Sequence, residues 1–152
     1  VAEIKASQVP TIRFFMRWAT RLQVAVFRMS KGRLMNKFIG GYPVCVVDTH
    51  GAKSGKLRRV ALIHLPHGDN KLMVASQGGM PGNPAWYYNV VAHPDIRIMV
   101  DGQEKPYRAR RVSDDEKAAL WPHLLSLYPD FDEYQARTDR NIPVFSCEPQ
   151  TD

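Results

Sequence analysis

Gly78-Gly79-Met80-Pro81-Gly82-Asn83-Pro84-Ala85-Trp86-Tyr87-Tyr88-Asn89-Val90-Val91-Ala92-His93-Pro94 is the stretch around which the rest of the chain is organised. Asn83-Pro84 reads as a helix start. An Asn side chain accepts from the first unpaired backbone N–H groups, and Pro at the first helical position gives up no hydrogen bond. The glycines ahead of it leave the backbone bare, and a Gly-rich approach to a helix N-terminus suits an anion such as a phosphate or a carboxylate. A surface loop leading to a helix packed by Trp86, Tyr87 and Tyr88 accounts for the same residues, and this stretch alone does not choose between the two readings.

Outward from that helix the chain reads as strands. A β-branched run at 42–47 follows Gly40-Gly41, and further strands are predicted at 59–65 and 71–76 around the turn Pro66-His67-Gly68-Asp69-Asn70. Beyond His93, strands at 95–100 and 105–112 flank Asp101-Gly102, and 142–147 reads as a closing strand. The first five of these, antiparallel and interrupted by one short helix, predict a small barrel with a crossing helix, a closure that leaves no open sheet edge. Ser113-Asp114-Asp115-Glu116 is a capping box that starts a helix through Ala118, Leu120 and Trp121. Pro122 is expected to end or kink it, with a short turn on to Tyr128, and another helix follows from Tyr128-Pro129 through Phe131 and Tyr134.

The chain has 152 residues, enough for one domain with one core. Its two cysteines, Cys45 and Cys147, sit in apolar strand-like runs, so buried free thiols in a reducing cytosol are expected rather than a bridge. No apolar run approaches the roughly 20 residues of a membrane span, and no signal-peptide pattern opens the sequence. His50, His64, His67, His93 and His123 show no ligand spacing, so no metal site is expected. Neither a Ser-His-Asp set nor a carboxylate pair stands out, which leaves hydrolytic chemistry without support.

The net charge of +6 is unevenly spread. Residues 1–47 hold eight bases against one acid, +7, while the remaining residues hold 13 bases against 14 acids, −1. The basicity therefore belongs to the N-terminal segment. There, 10–30 reads as one amphipathic helix, with Ile12, Phe15, Ala19, Leu22, Val26 and Met29 on one side and Arg13, Arg17, Arg21 and Arg28 on the other. Such a helix fits an anionic membrane surface, and it fits equally a cap over the domain with a solvated basic face. Nucleic acid is not expected, since no recognised motif follows and the rest of the chain is close to neutral. The chain divides accordingly into a basic helical segment, 1–40, and a single barrel domain, 41–152.

Gly51-Ala52-Lys53-Ser54-Gly55-Lys56-Leu57-Arg58-Arg59 reads as a hairpin turn whose charges could be merely solvated. It could also set an ammonium, a hydroxyl and a guanidinium around one phosphate or carboxylate. It is not a Walker loop, because the order of glycines and lysine differs.

Taken together, that turn with Arg58, the segment Ser76-Gln77-Gly78-Gly79, Asn83-Pro84 with Trp86, Tyr87 and Asn89, Ala92-His93-Pro94, Tyr128-Pro129, Ile142-Pro143 and Cys147-Glu148-Pro149 resemble the deazaflavin-dependent nitroreductase family, in its actinobacterial, membrane-associated branch. The resemblance runs from Trp18 to Pro149. It implies an α+β split β-barrel with flanking helices and the deazaflavin coenzyme F-420 as electron donor. It places phosphate and tail contacts on Lys53, Ser54 and Arg58 and on Ser76, Gln77 and Gly78. Backbone near Pro84, Ala85 and Trp86 would line the deazaflavin, supported by Tyr87 and Asn89, and Trp18, Tyr128, Phe131 and Tyr134 would wall the acceptor pocket. The chain departs from the family pattern at Ala52 and Gln77, where cations are usual, with Lys56 and Arg59 as partial compensation, and at Phe131, where the nitroreductive member has Tyr.

A deazaflavin moves two electrons as hydride, so the protein must hold the ring, seat an acceptor and supply a proton, for which Ser76 or Tyr134 is the candidate. The expected acceptor is a quinone or similar planar molecule, with nitroaromatics as further substrates. The expected setting is a cytoplasmic monomer or weak dimer, peripherally bound to the inner membrane face. A flavin mononucleotide oxidoreductase on the same barrel and a noncatalytic carrier of lipid or coenzyme are the competing readings.

Overall fold

The computed structural model describes residues 41–151. The predicted helix at 10–30, the segment 1–40 and the candidate pocket residue Trp18 lie outside the described residues.

Seven strands and three α-helices follow in order: β1 (Val44–His50), β2 (Leu57–Ile63), β3 (Leu65–His67), β4 (Asn70–Val74), α1 (Ala85–Ala92), β5 (Asp95–Val100), β6 (Gln103–Arg111), α2 (Asp114–Leu127), α3 (Asp130–Ala136) and β7 (Val144–Pro149). A 3-10 turn, Gln77–Gly79, sits between β4 and α1. The strands form one sheet in the order β2-β1-β5-β6-β7-β4-β3, with every neighbouring pair antiparallel.

The sheet's two edges, β2 and β3, are joined by His64 alone. The chain therefore begins this run on one edge and ends it on the other, which curls the sheet into a split barrel. The sequence predicts one strand over 59–65, whereas the chain changes partner at His64. Ile63 still pairs with Val44, and Leu65 already pairs with Leu72. At the junction the His64 N–H donates to Pro43 O at 2.9 Å, and Lys71 Nζ donates to His64 Nε2 at 2.8 Å. Burial foremost, and then the Lys71 charge, push the His64 pKa down, so the ring serves as a neutral acceptor.

Alternation along the strands gives two large cores and, on β1 and β2, a small third cluster of Val44, Val46 and Ala61. On one face Cys45, Val47, Met73, Ile96, Ile98, Tyr107, Phe145 and Cys147 enclose Trp86 and Val90 of α1. The predicted crossing helix is thus the plug of that core. The opposite face of β4 and β7, carrying Leu72, Val74 and Val144, is covered by Leu120 and Leu124 of α2, by Tyr128 and by Phe131 of α3. Cys45 and Cys147 are free and buried, and burial pushes both thiols up to about 12.

Ser113 caps α2 as its sequence indicates, its Oγ accepting from Glu116 N at 3.2 Å. The Glu116 carboxylate does not turn back to complete the box. It takes a bidentate pair from Arg110 at 2.8 and 2.9 Å. Pro122 neither ends nor breaks α2, which runs on to Leu127. Leu120 and Leu124 are anchored in the core on either side of it, and Pro122 itself is exposed, so the missing hydrogen bond costs less than those two contacts gain.

Candidate functional site

Helix α1 touches two loops, one near each end. Towards its C-terminal end, Asn89 Oδ1 accepts from Ala52 N at 2.9 Å, and Asn89 Nδ2 lies 3.5 Å from Thr49 Oγ1. The turn it holds is closed by Gly51 N to Lys56 O and Gly55 N to Gly51 O, both at 2.8 Å. Ser54 Oγ accepts from Lys56 N at 3.2 Å inside the same turn. Lys53, Ser54 and Lys56 are left exposed around it.

Arg58 is the register partner of Thr49, so its side chain leaves the sheet on the face where α1 lies. Lys53, Lys56 and Arg58 have no ion-pair partner among the described residues. Arg59, one residue on, falls on the other face and is bound to the buried Asp48 at 2.9 Å. The compensation expected of Arg59 is therefore not available, and Lys56 alone remains for it.

At the other end of α1 the loop 75–83 has a backbone that its sequence does not announce. Ser76 is right-handed, at φ −72° and ψ −40°, and the next three residues are left-handed, Gln77 at 45°, Gly78 at 63° and Gly79 at 77°. A right-handed residue followed by a left-handed one makes successive N–H groups converge, the geometry of an anion-binding nest. Gln77 holds its left-handed φ without the freedom of glycine, at a cost of roughly 1–2 kcal/mol. Gly79 is required for a second reason. A Cβ there would stand 2.7 Å from Tyr134 O and 2.9 Å from Arg137 Cβ, so only a glycine lets α3 dock on this loop.

The helix start predicted at Asn83-Pro84 needs correction. α1 begins at Ala85 with an extended Pro84 as its cap residue, and no side chain caps it. Asn83 Oδ1 accepts instead from Arg140 Nη1 at 2.6 Å. Arg140 also donates to Ala75 O at 2.9 Å, Ser76 O at 3.0 Å and Met80 O at 3.1 Å. Sequence reasoning missed this residue. In Thr138-Asp139-Arg140-Asn141 it looks like one more loop charge, and its only local signal is its place just ahead of the apolar start of β7.

The remaining candidates divide between core and surface. Ala85 is exposed, and Pro84 is half-buried at the N-terminal end of α1. The Trp86 side chain belongs to the core, edge-on to Phe145 at 5.8 Å, so its backbone is what can line a ligand. Tyr87 is half-buried, and its hydroxyl accepts from Arg111 Nη1 at 2.9 Å. Tyr128, Phe131 and Tyr134 do cluster: Tyr128 and Phe131 have ring centroids 4.8 Å apart, and the Tyr128 and Tyr134 hydroxyls are 2.8 Å apart. Phe131 is only 3% exposed, so its ring is packed and not open on all sides. Burial and then the bond to Tyr134 raise the Tyr128 pKa well above the ordinary phenol range, which keeps that hydroxyl protonated at neutral pH. Tyr134 is the wetter of the two, and Arg137 lies over its ring at 5.7 Å.

The structure thus gathers Ser76, Gln77, Gly78 and Tyr134 at one end of α1, and Lys53, Ser54, Arg58 and Asn89 at the other. A shallow open groove between α2 and α3, lined by residues that include Lys117 and Trp121, shares no residue with this set. Among the described residues no group of His, Cys, Asp and Glu side chains is arranged to hold a metal.

The sequence model of a family described as F420H(2)-dependent quinone reductase matches residues 18–149. A Mycobacterium tuberculosis protein named as an F420H(2)-dependent quinone reductase is 36% identical over 127 residues, which cover 82% of this chain and 85% of the relative. A solved structure described as an F420-H2 dependent reductase superposes with a TM-score of 0.65 at 40% identity, over 70% of this chain and 94% of its own. Another, described as a domain-swapped dimer, has a TM-score of 0.68 at 33% identity, over 87% of this chain and 98% of its own.

Proposed function

This chain belongs to the F420H(2)-dependent quinone reductase family, and on that premise we propose how its residues divide the work of a coenzyme F-420-dependent reductase acting on quinones. The observation that carries the reading is that α1 spans a turn bearing unpaired cations and a loop with nest geometry. That pairing fits a ligand with an anionic side and a planar ring. The flavin mononucleotide and carrier readings are not favoured, since family and relatives alike are described by F420H(2).

Lys53, Lys56 and Arg58 bind the phosphate and acidic tail through charge-assisted contacts, and Ser54 adds a hydroxyl. The backbone at Ser76, Gln77 and Gly78, whose nest geometry suits an anion, takes further phosphate and tail contacts, and the backbone of Pro84, Ala85 and Trp86 lines the face of the ring. When bound, the coenzyme supplies two electrons as hydride. Tyr128 and Phe131 exclude water from the acceptor and give it an apolar wall, with Trp18 as a further candidate. Tyr134 Oη holds the proton the reduced acceptor needs, backed by a Tyr128 hydroxyl that stays protonated, and Ser76 is the second candidate donor.

Because Phe131 offers no hydroxyl, reduced F-420 should be reoxidised by a menaquinone analogue faster than by a nitroimidazole. Stopped-flow oxidation with both acceptors measures this, and Phe131→Tyr should narrow the gap. A nitroimidazole that is the better acceptor, with no change in Phe131→Tyr, would remove the role given to that wall.

The membrane contact is also a proposal, supported by the +7 balance of residues 1–47 and by Arg13, Arg17, Arg21 and Arg28. No helix of the described residues is long and apolar enough to cross a membrane. Basic residues near an anionic surface contribute about 1 kcal/mol each, so four arginines suffice for reversible binding. The full chain should pellet with anionic but not neutral vesicles, less so at high salt, and should stay in solution once residues 1–30 are deleted. A deleted chain that still pellets would rule the segment out as the contact.

A further inference from the structure

We propose that Arg140 is the positioning residue of the coenzyme loop: its guanidinium holds two successive peptide units so that their amides face the coenzyme. The inference rests on the reading of the 75–83 loop as part of the coenzyme site.

The argument starts from peptide geometry. In a trans peptide the C=O and the following N–H point in opposite directions, and there is no cis bond here. Arg140 draws the carbonyls of Ala75 and Ser76 to itself at 2.9 and 3.0 Å. The N–H groups of Ser76 and Gln77 are thereby aimed away from it. Those two amides belong to the right-then-left pair that forms the nest. The same guanidinium holds Met80 O at 3.1 Å and Asn83 Oδ1 at 2.6 Å, so it ties the whole loop from the end of β4 to the entry of α1.

Arg140 is itself aimed from behind. Its backbone N–H donates to Thr138 Oγ1 at 3.1 Å, and its carbonyl accepts from Gln135 Nε2 at 2.7 Å. Gln135 Oε1 in turn accepts from Ile142 N at 3.1 Å and Lys117 Nζ at 2.8 Å. A flexible surface arginine has no such support. Among the described residues no carboxylate pairs with Arg140, and burial pulls its pKa down. A cation placed among four neutral acceptors, with Nε unpartnered, is a poor stabiliser of the fold by itself. Orientation of the loop is what the four bonds accomplish.

The test compares the wild type with Arg140→Met, which keeps the stem, with Arg140→Lys, which keeps the charge and part of the donor set, and with Asn83→Ala, which removes one acceptor. Coenzyme F-420 affinity is read by absorbance titration, loop order by amide hydrogen exchange at Gly79 and Met80, whose N–H groups bond Ser76 O and Gln77 O. In Arg140→Met the two amides should exchange at least tenfold faster and F-420 should bind at least tenfold more weakly. Turnover at saturating coenzyme should fall less than affinity does, and Arg140→Lys should recover part of both losses. Asn83→Ala should shift both readouts the same way by a smaller factor, and it serves if Arg140→Met does not fold. Affinity unchanged in folded Arg140→Met, or exchange no faster than in the wild type, overturns the proposal. A wild type that fails to bind F-420 would sink the coenzyme reading instead, and the exchange comparison tells that failure apart.

Discussion

The turn at 51–56 and the loop at 75–83 flank the same helix, and they are made in different ways. In the turn, the backbone satisfies itself through Gly51, Gly55 and Lys56, and the ligand-facing chemistry is carried by exposed side chains. In the loop the side chains are neutral, and the chemistry is carried by backbone amides whose directions are imposed from outside by Arg140 and by the docking of α3 on Gly79. One site is written in residue types and can be changed without disturbing the fold. The other is written in dihedral angles, and changing it disturbs packing as well.

The largest effect that would test this contrast is expected for Gly79→Ala. A left-handed non-glycine residue and a Cβ pressed against Tyr134 O together should cost roughly 2–4 kcal/mol. Chemical denaturation would measure it, and a variant as stable as the wild type would mean that α3 can move off the loop freely. The Lys53→Ala, Arg58→Ala double variant should do the reverse. Its stability should be unchanged within about 0.5 kcal/mol, as for surface substitutions generally. Its F-420 affinity should fall at least tenfold, about 1.4 kcal/mol, and the remaining affinity, with Lys56 as the one cation left in the turn, should respond less to salt than that of the wild type. A double variant that binds normally would remove the anion site from the turn. The smallest effect is expected for Asn89→Ala, which frees the Ala52 amide from its only link to α1 among the hydrogen bonds described. A lost hydrogen bond at an exposed site should cost about 0.5 kcal/mol in stability, with coenzyme affinity down a few-fold. Faster exchange at Ala52 with no loss of affinity would show that the turn needs no fixed position relative to the helix.

Much of the barrel is legible from residues alone because strand signals are local. Alternating apolar runs around Gly68-Asp69 and Asp101-Gly102 mark their own turns, although the turn read at 66–70 is shorter than its sequence suggests because Pro66 and His67 belong to β3 and Asn70 to β4. Ser113 caps its helix from three residues away. Cations in a glycine-flanked turn are likewise visible as a pattern. Asn83 and Pro122 mislead for one reason. Their local preferences are real, but Arg140 offers Asn83 a charge-assisted partner, and Leu120 with Leu124 holds α2 together across Pro122. Arg59 misleads differently, since one step along a strand moves a side chain to the opposite face, where Asp48 is waiting.

The sequence by itself determined most of the strands and helices among the described residues, the charged turn and, by resemblance, the family and its coenzyme. Only the tertiary structure decided that β2 and β3 are the two edges of one curled sheet joined at His64, that Arg59 is paired with Asp48 while Arg58 has no ion-pair partner among the described residues, and that an arginine more than 50 residues downstream binds the 75–83 loop. The physical reason is range. Propensity, capping and turn chemistry act within a few residues and leave a signature there, whereas the direction of a peptide dipole or the face of an ion pair is fixed by groups that meet only after the chain has folded.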